Sequence, residues 1–151
     1  MDDIEFQEKI IELLKNVNGK LNEILNNFYE PYGLTVVQAM VLLELHRNGE
    51  QNITDLSNHV CMVKGNLSQL CKRLEKKGLI ERVRDSEDER YVNIRMTKYS
   101  ENIVKELEEK ISNNRIPILL QIENQKKNSI IEALNILNDC LSSEYEKNHI
   151  L

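Results

Sequence analysis

The residues best equipped for chemistry in this chain are cations and amides, and they crowd into residues 64 to 98. Lys64, Gly65, Asn66, Ser68, Gln69, Lys72, Arg73 and Lys76 fall on one side of a helical repeat whose other side is apolar. Asn and Gln can pair with adenine edges, while Arg and Lys suit guanine or phosphate. Gly65, with no side chain, permits close approach. Arg84, Asp88 and Arg90 follow in a charged loop between two short alternating segments. An arginine at such a tip can enter a narrow minor groove, where the potential is most negative. Asp88 suits that loop if it accepts hydrogen bonds from Arg84 or Arg90 and stiffens it. The chemistry these residues offer is recognition of a polyanion with edges to be read: double-stranded DNA.

The charge distribution sharpens this. The 151-residue chain is acidic overall, with 20 Lys and Arg against 25 Asp and Glu. Between Lys64 and Lys98 ten basic residues face six acidic ones, a local balance of +4 that leaves −9 elsewhere. A generic polyanion binder would be basic throughout. A basic patch on an acidic body steers DNA to one surface. The charges alone fit a solvated helix and hairpin equally well.

Other chemistry finds little support. His46, His59 and His149 are scattered, and neither a Gly-rich phosphate loop nor a nucleophile–histidine grouping is present, so no catalytic residue is assigned and an enzyme is not expected. Cys61, Cys71 and Cys140 are far apart and make no metal-spaced set or disulfide framework. No metal or other cofactor is implied. Cys71 and Cys140 fall in apolar helical stretches and are expected in the core. Cys61, in a turn, is also expected to be buried, with a thiol sensor as the alternative. No apolar run approaches the roughly 20 residues that span a bilayer. The N-terminus is unlike a signal peptide, so a cytoplasmic protein with no membrane association is expected.

The elements that position these residues are mostly helices, as five glycines and two prolines suggest. Ile10, Leu14, Val17, Leu21, Ile24 and Phe28 recur at steps of four and three and predict one long helix ending before Pro31. Thr35 and Gln38 make a capping pattern for a second helix, which Gly49 closes. A short third helix runs from about Thr54 to Val60. The turn Cys61-Met62-Val63 leads into a fourth, with Leu67, Leu70, Cys71 and Leu74 on its core face and Gly78 at its end. Ile80–Arg84 and Tyr91–Met96 alternate as half-buried strands, with Ile80, Val92, Ile94 and Met96 inward. Pro117 should interrupt the helix that begins at Thr97.

The apolar residues Ile103, Val104, Leu107, Ile111, Ile130, Leu134, Leu137 and Leu141, with the N-terminal stripe, exceed what a small domain needs to cover itself. They fit either a bundle within one chain or an intertwined two-fold dimer, and the dimer is preferred. Residues 1–32 and 112–151 would form the helical dimerisation region and 33–111 the DNA-binding domain.

These pieces, in order, resemble a known family. Gly33-Leu34-Thr35 through Gln38, then Leu56, Leu74-Glu75-Lys76-Lys77-Gly78-Leu79-Ile80, Arg82, Asp85, Asp88, Arg90 and Met96-Thr97 are similar to the MarR family of winged-helix transcriptional regulators across about residues 30 to 110. Ser100 departs from it, since the family usually has glycine there; little effect on the helix start is expected. The resemblance implies a mostly α (α+β) winged helix-turn-helix with long terminal dimerisation helices. It implies a homodimer on a pseudo-palindromic operator, often a repressor relieved by a small ligand. Lys64 to Lys77 would be the recognition helix, with Asp88 and Arg90 in the wing. An effector pocket would lie where the dimer helices meet the DNA-binding lobe, with Phe28, Tyr29, Tyr32, Met40 and His46 as candidate lining. A winged helix that binds protein instead of DNA is the alternative.

Overall fold

The computed structural model describes residues 1–84, 92–113 and 117–149, the side chains of 113, 117, 118 and 143–149 excepted. The chain forms two compact units, 1–109 and 110–151.

The first unit opens with α1, Asp3–Tyr29, whose N-cap Asp2 accepts a hydrogen bond from the Glu5 amide at 2.8 Å. Only the C-terminal end of α1 joins the core: Tyr29 is buried, and Leu25 and Phe28 pack against the cluster. A single 3-10 turn, Glu30–Tyr32, follows. Gly33 then takes φ +66°, a left-handed conformation that suits glycine. Helix α2, Val36–Asn48, starts at the expected capping box: Thr35 Oγ1 accepts from the Gln38 amide, and Gln38 Oε1 accepts from the Thr35 amide. Gly49 ends it at φ +77°.

A two-residue strand, β1 (Gln51–Asn52), leads into α3, Ile53–His59. The strand is too short to leave an alternation in the sequence. Asn52 Oδ1 caps α3 by accepting from the Thr54 and Asp55 amides, both at 2.9 Å. After the turn comes α4, Lys64–Lys76. Strands β2 (Ile80–Arg84) and β3 (Val92–Met96) pair antiparallel, Ile80 opposite Met96 and Arg84 opposite Val92. Strand β1 adds to the far edge of β3 with Gln51 opposite Ile94, giving the order β1-β3-β2.

The core sits between these layers. Leu42, Leu56, Leu67, Leu74, Ile80, Ile94, Val104 and Leu107 are fully buried within it. Met96 packs against it, whereas Val92 is 37% exposed. Val92 shares the alternation of Ile94, but at the start of β3 it is exposed and the expected inward position is not buried.

Helix α5, Lys98–Asn113, starts at Thr97, whose Oγ1 accepts from the Ser100 amide at 3.2 Å. The Ser100 hydroxyl is wholly buried and donates to the Thr97 carbonyl at 3.0 Å, so serine fits the helix start.

In the second unit, α6 is Pro117–Leu120 and α7 is Asn124–His149. The expected interruption of the preceding helix at Pro117 falls on residues 114–116, which lie outside the described residues. None of the described residues of 110–151 is buried, and Ile130, Ile131, Leu134, Ile136 and Leu141 are exposed. Cys140 is exposed with them, contrary to expectation, because the stripe it flanks has no core in this unit.

Candidate nucleic-acid interface

Helix α4, the expected recognition helix, is held by the face it buries. Leu67, Leu70, Cys71 and Leu74 are all at or near zero exposure, as the i, i+3, i+4, i+7 spacing requires. Burial pushes the Cys71 thiol up to about 11, partly offset by the Arg82 charge and reinforced by Glu75. The C-terminus is locked by paired bonds: the Gly78 amide donates to the Glu75 carbonyl at 2.9 Å and the Leu79 amide to Leu74 at 3.0 Å. Gly78 at φ +69° makes that closure possible.

The opposite face is open. Lys64, Gly65, Asn66, Gln69, Lys72, Arg73 and Lys76 are exposed, and Ser68 is half-buried. These are the eight positions expected to meet DNA, and the fold presents them on one helix surface. Arg84 is exposed at the end of β2. Asp88 and Arg90, the other two expected wing residues, lie outside the described residues, as do Asp85 and Tyr91.

Three cations of the same segment work inside the protein. Arg82 donates from Nη2 to the Ser68 carbonyl at 3.3 Å, and its Nε lies 3.3 Å from Glu75 Oε2, too poorly aligned for a hydrogen bond. That side chain ties the first wing strand to the middle of α4. Arg95 on β3 donates from Nε and Nη2 to Glu81 Oε2 on β2, at 3.0 and 2.9 Å. Lys77 donates from Nζ to the Gly33 carbonyl at 2.8 Å and to Gln38 Oε1 at 3.3 Å. Lys77 sits at the C-terminal end of α4, where the helix dipole favours a cation, and its side chain also fastens α4 to the turn before α2. Among the described residues of this segment, the exposed cations left over are Lys64, Lys72, Arg73, Lys76, Arg84 and Lys98.

The joint ahead of α4 depends on a network that the sequence did not signal. Glu44 Oε1 on α2 accepts from Asn48 Nδ2 at 2.8 Å and from Gln51 Nε2 at 3.3 Å, and lies 3.0 Å from His59 Nδ1. His59 Nδ1 is also 2.7 Å from Gln51 Oε1. Both neighbours are acceptors, so this geometry puts the proton on Nδ1. Only Glu44 and Asn48, at i and i+4, hint at it.

Cys61 follows with φ +51°, the one described non-glycine residue in the left-handed region. It is exposed rather than buried, because that backbone turns its side chain outward; its Sγ is 3.8 Å from the Asn58 carbonyl.

The expected effector-pocket residues are dispersed. Tyr29 is buried, and burial raises its hydroxyl above the ordinary 10.0, with Arg47 opposing. Phe28 and Tyr32 pack on the core. Met40 is exposed, while His46 Nε2 lies 3.4 Å from Glu108 Oε2 on α5. Six residues apart on α2, Met40 and His46 project in different directions. Among the described residues no group of three or more His, Cys, Asp or Glu could hold a metal, and no helix is long and apolar enough to cross a membrane.

Comparison with known proteins agrees with this geometry. Residues 23–107 match the family model of the transcriptional regulator SarA/Rot. The HTH-type transcriptional regulator SarZ of Staphylococcus aureus (strain USA300) is 31% identical over 113 residues, 75% of this chain and 71% of its own length. SarZ of Staphylococcus haemolyticus is 30% identical over 107 residues, 71% of each chain. A mutant MarR from E. coli, crystallised with operator DNA, superposes with a TM-score of 0.81 at 20% identity, covering 91% of this chain and 99% of that one. Helix α4, its Gly78 closure and the three-stranded sheet agree with one conclusion: the chain belongs to the SarA/Rot family of transcriptional regulators and has the winged-helix fold of the MarR regulators.

Proposed function

We propose that this regulator acts as a homodimer on a pseudo-palindromic DNA operator, with one α4 in each of two successive major grooves. The observation that carries the proposal is the outer face of α4, where adenine-reading amides and four cations lie exposed on a helix locked from behind. The MarR structure's partner, operator DNA, supports the same role. Residues 1–32 and 112–151 serve as the dimerisation region, and two-fold symmetry sets half-sites roughly 34 Å apart. Arg90 enters the flanking minor groove, with Asp88 bracing the loop. A small effector that changes the spacing of the paired helices would release the operator and make the protein a ligand-responsive repressor; because Phe28, Tyr29, Tyr32, Met40 and His46 do not gather into one pocket, its site is not assigned to them.

Selection of bound duplexes from a random pool tests this. The expected result is a two-fold consensus whose binding weakens steeply with salt. A pool with no enrichment defeats the DNA role and leaves protein binding as the use of the same surface. Replacing Arg90 with Ala should weaken binding to the selected duplex by about 1–3 kcal/mol. Unchanged affinity and unchanged salt dependence would remove Arg90 from the interface.

A further inference from the structure

Val63 stands immediately before the recognition helix. By helical spacing it belongs with Leu67, Leu70 and Leu74, at i+4, i+7 and i+11, on the core face. The structure does otherwise. Val63 is the N-cap of α4, with φ −64° and ψ 132°, an extended conformation that takes its side chain off the helical repeat. The preceding turn completes the exchange. Met62 packs against the core, its amide donating to the Ser57 carbonyl at 2.9 Å, and Val63 is left 63% exposed. It makes no side-chain cap, so holding the helix does not explain its type. The residues beside it are Lys64, Gly65 and Asn66, all exposed, and a Cβ added at Gly65 would meet nothing within 4 Å. An isolated exposed valine is ordinary on a protein surface. This one is exposed at the N-terminal end of α4, beside the first residues of the face proposed to meet base edges, and the thymine C5-methyl is the one apolar group in the major groove.

We propose that Val63 is a specificity-determining residue that packs on a thymine methyl in each half-site, adding an apolar contact to the polar readout by Asn66 and Gln69. The inference rests on the operator-binding role of α4.

The probe is a duplex selected from a random pool, with each thymidine replaced in turn by deoxyuridine, which removes the C5-methyl alone. The wild-type protein should lose about fourfold in affinity at one symmetry-related position per half-site, the factor expected for one carbon's worth of buried apolar surface. Val63→Ala should be indifferent to deoxyuridine there, with its other base preferences and salt dependence intact and its thermal unfolding unchanged. Wild-type indifference to deoxyuridine at every position, or an equal deoxyuridine penalty in Val63→Ala, overturns the proposal while leaving DNA binding in place. Failure to select any duplex overturns the DNA-binding role itself and this inference with it.

Discussion

Gly65 is the residue at which stability and recognition pull apart. It occupies the second position of α4 with a φ that any residue can adopt, and the space around its Cβ position is open. Nothing in the fold requires glycine. Gly65→Ala should therefore stabilise the protein by up to about 1 kcal/mol through helix propensity. If the bare backbone serves close approach to DNA, the same variant binds its operator more weakly. A higher melting temperature with undiminished binding would show that the close approach does not occur. Cys71 makes a different prediction. Its thiol keeps its proton up to about 11 when folded, against an ordinary 9.0. Between about pH 9 and 11 the unfolded thiol has ionised and the folded one has not, so stability is lost as pH rises through that window. The loss is on the order of 2 kcal/mol. Tyr29, also raised by burial, contributes in the same direction. Urea titrations of parent and Cys71→Ala at pH 8 and 10.5 should isolate the thiol's share as a smaller loss in the variant. Equal losses would show that the thiol is not shielded.

At the scale of elements, the question is which cations hold the interface and which present it. Lys77 joins the end of α4 to the Gly33 carbonyl and to Gln38, itself 5% exposed. Lys72, one turn earlier on the open side, has its charge in solvent. Lys77→Met should cost about 1–2 kcal/mol of stability by removing charge-assisted hydrogen bonds, with the slope of binding against salt unchanged. Lys72→Ala should leave stability within about 0.5 kcal/mol and reduce the salt slope by about 1. Chemical denaturation and salt-dependent duplex titration check the pair, and an exchange of the two outcomes would reverse the assignment. From sequence these lysines look alike, because both sit on the polar side of an amphipathic helix. Only the position of the turn before α2, some forty residues away, distinguishes them. Arg82 and Arg95 are alike in this respect. Their partners at Ser68, Glu75 and Glu81 depend on how the hairpin lies against α4.

At the scale of the whole molecule, the apolar surface left uncovered is the main fact. Leu14, Val17, Leu21 and Ile24 on α1 and Ile130, Leu134 and Leu141 on α7 are exposed in the single chain. An exposed apolar stripe on a helix, taken for each of the two helices by itself, marks an association site. Leu14→Glu combined with Val17→Glu should shift the protein toward monomer in sedimentation at micromolar concentration and should weaken binding to a two-half-site duplex far more than to a single half-site. A parent protein that sediments only as monomer would end the dimer proposal.

By itself the sequence determined the elements and their faces. The long first helix, the Thr35–Gln38 capping box, the Leu67–Leu74 core face and the Gly78 closure depend on neighbours within a few residues, so periodicity and capping chemistry suffice. Tertiary structure alone decided the rest. It set Val63 outside and Met62 inside through one turn whose backbone no local pattern announces. It added β1, two residues long, by offering it the free edge of β3. It gathered Glu44, Asn48, Gln51 and His59 at one joint, and separated the cations that bond within the protein from those left exposed. Each of these depends on which distant segment comes to lie alongside, and a pairing across tens of residues leaves no period in the chain to be read.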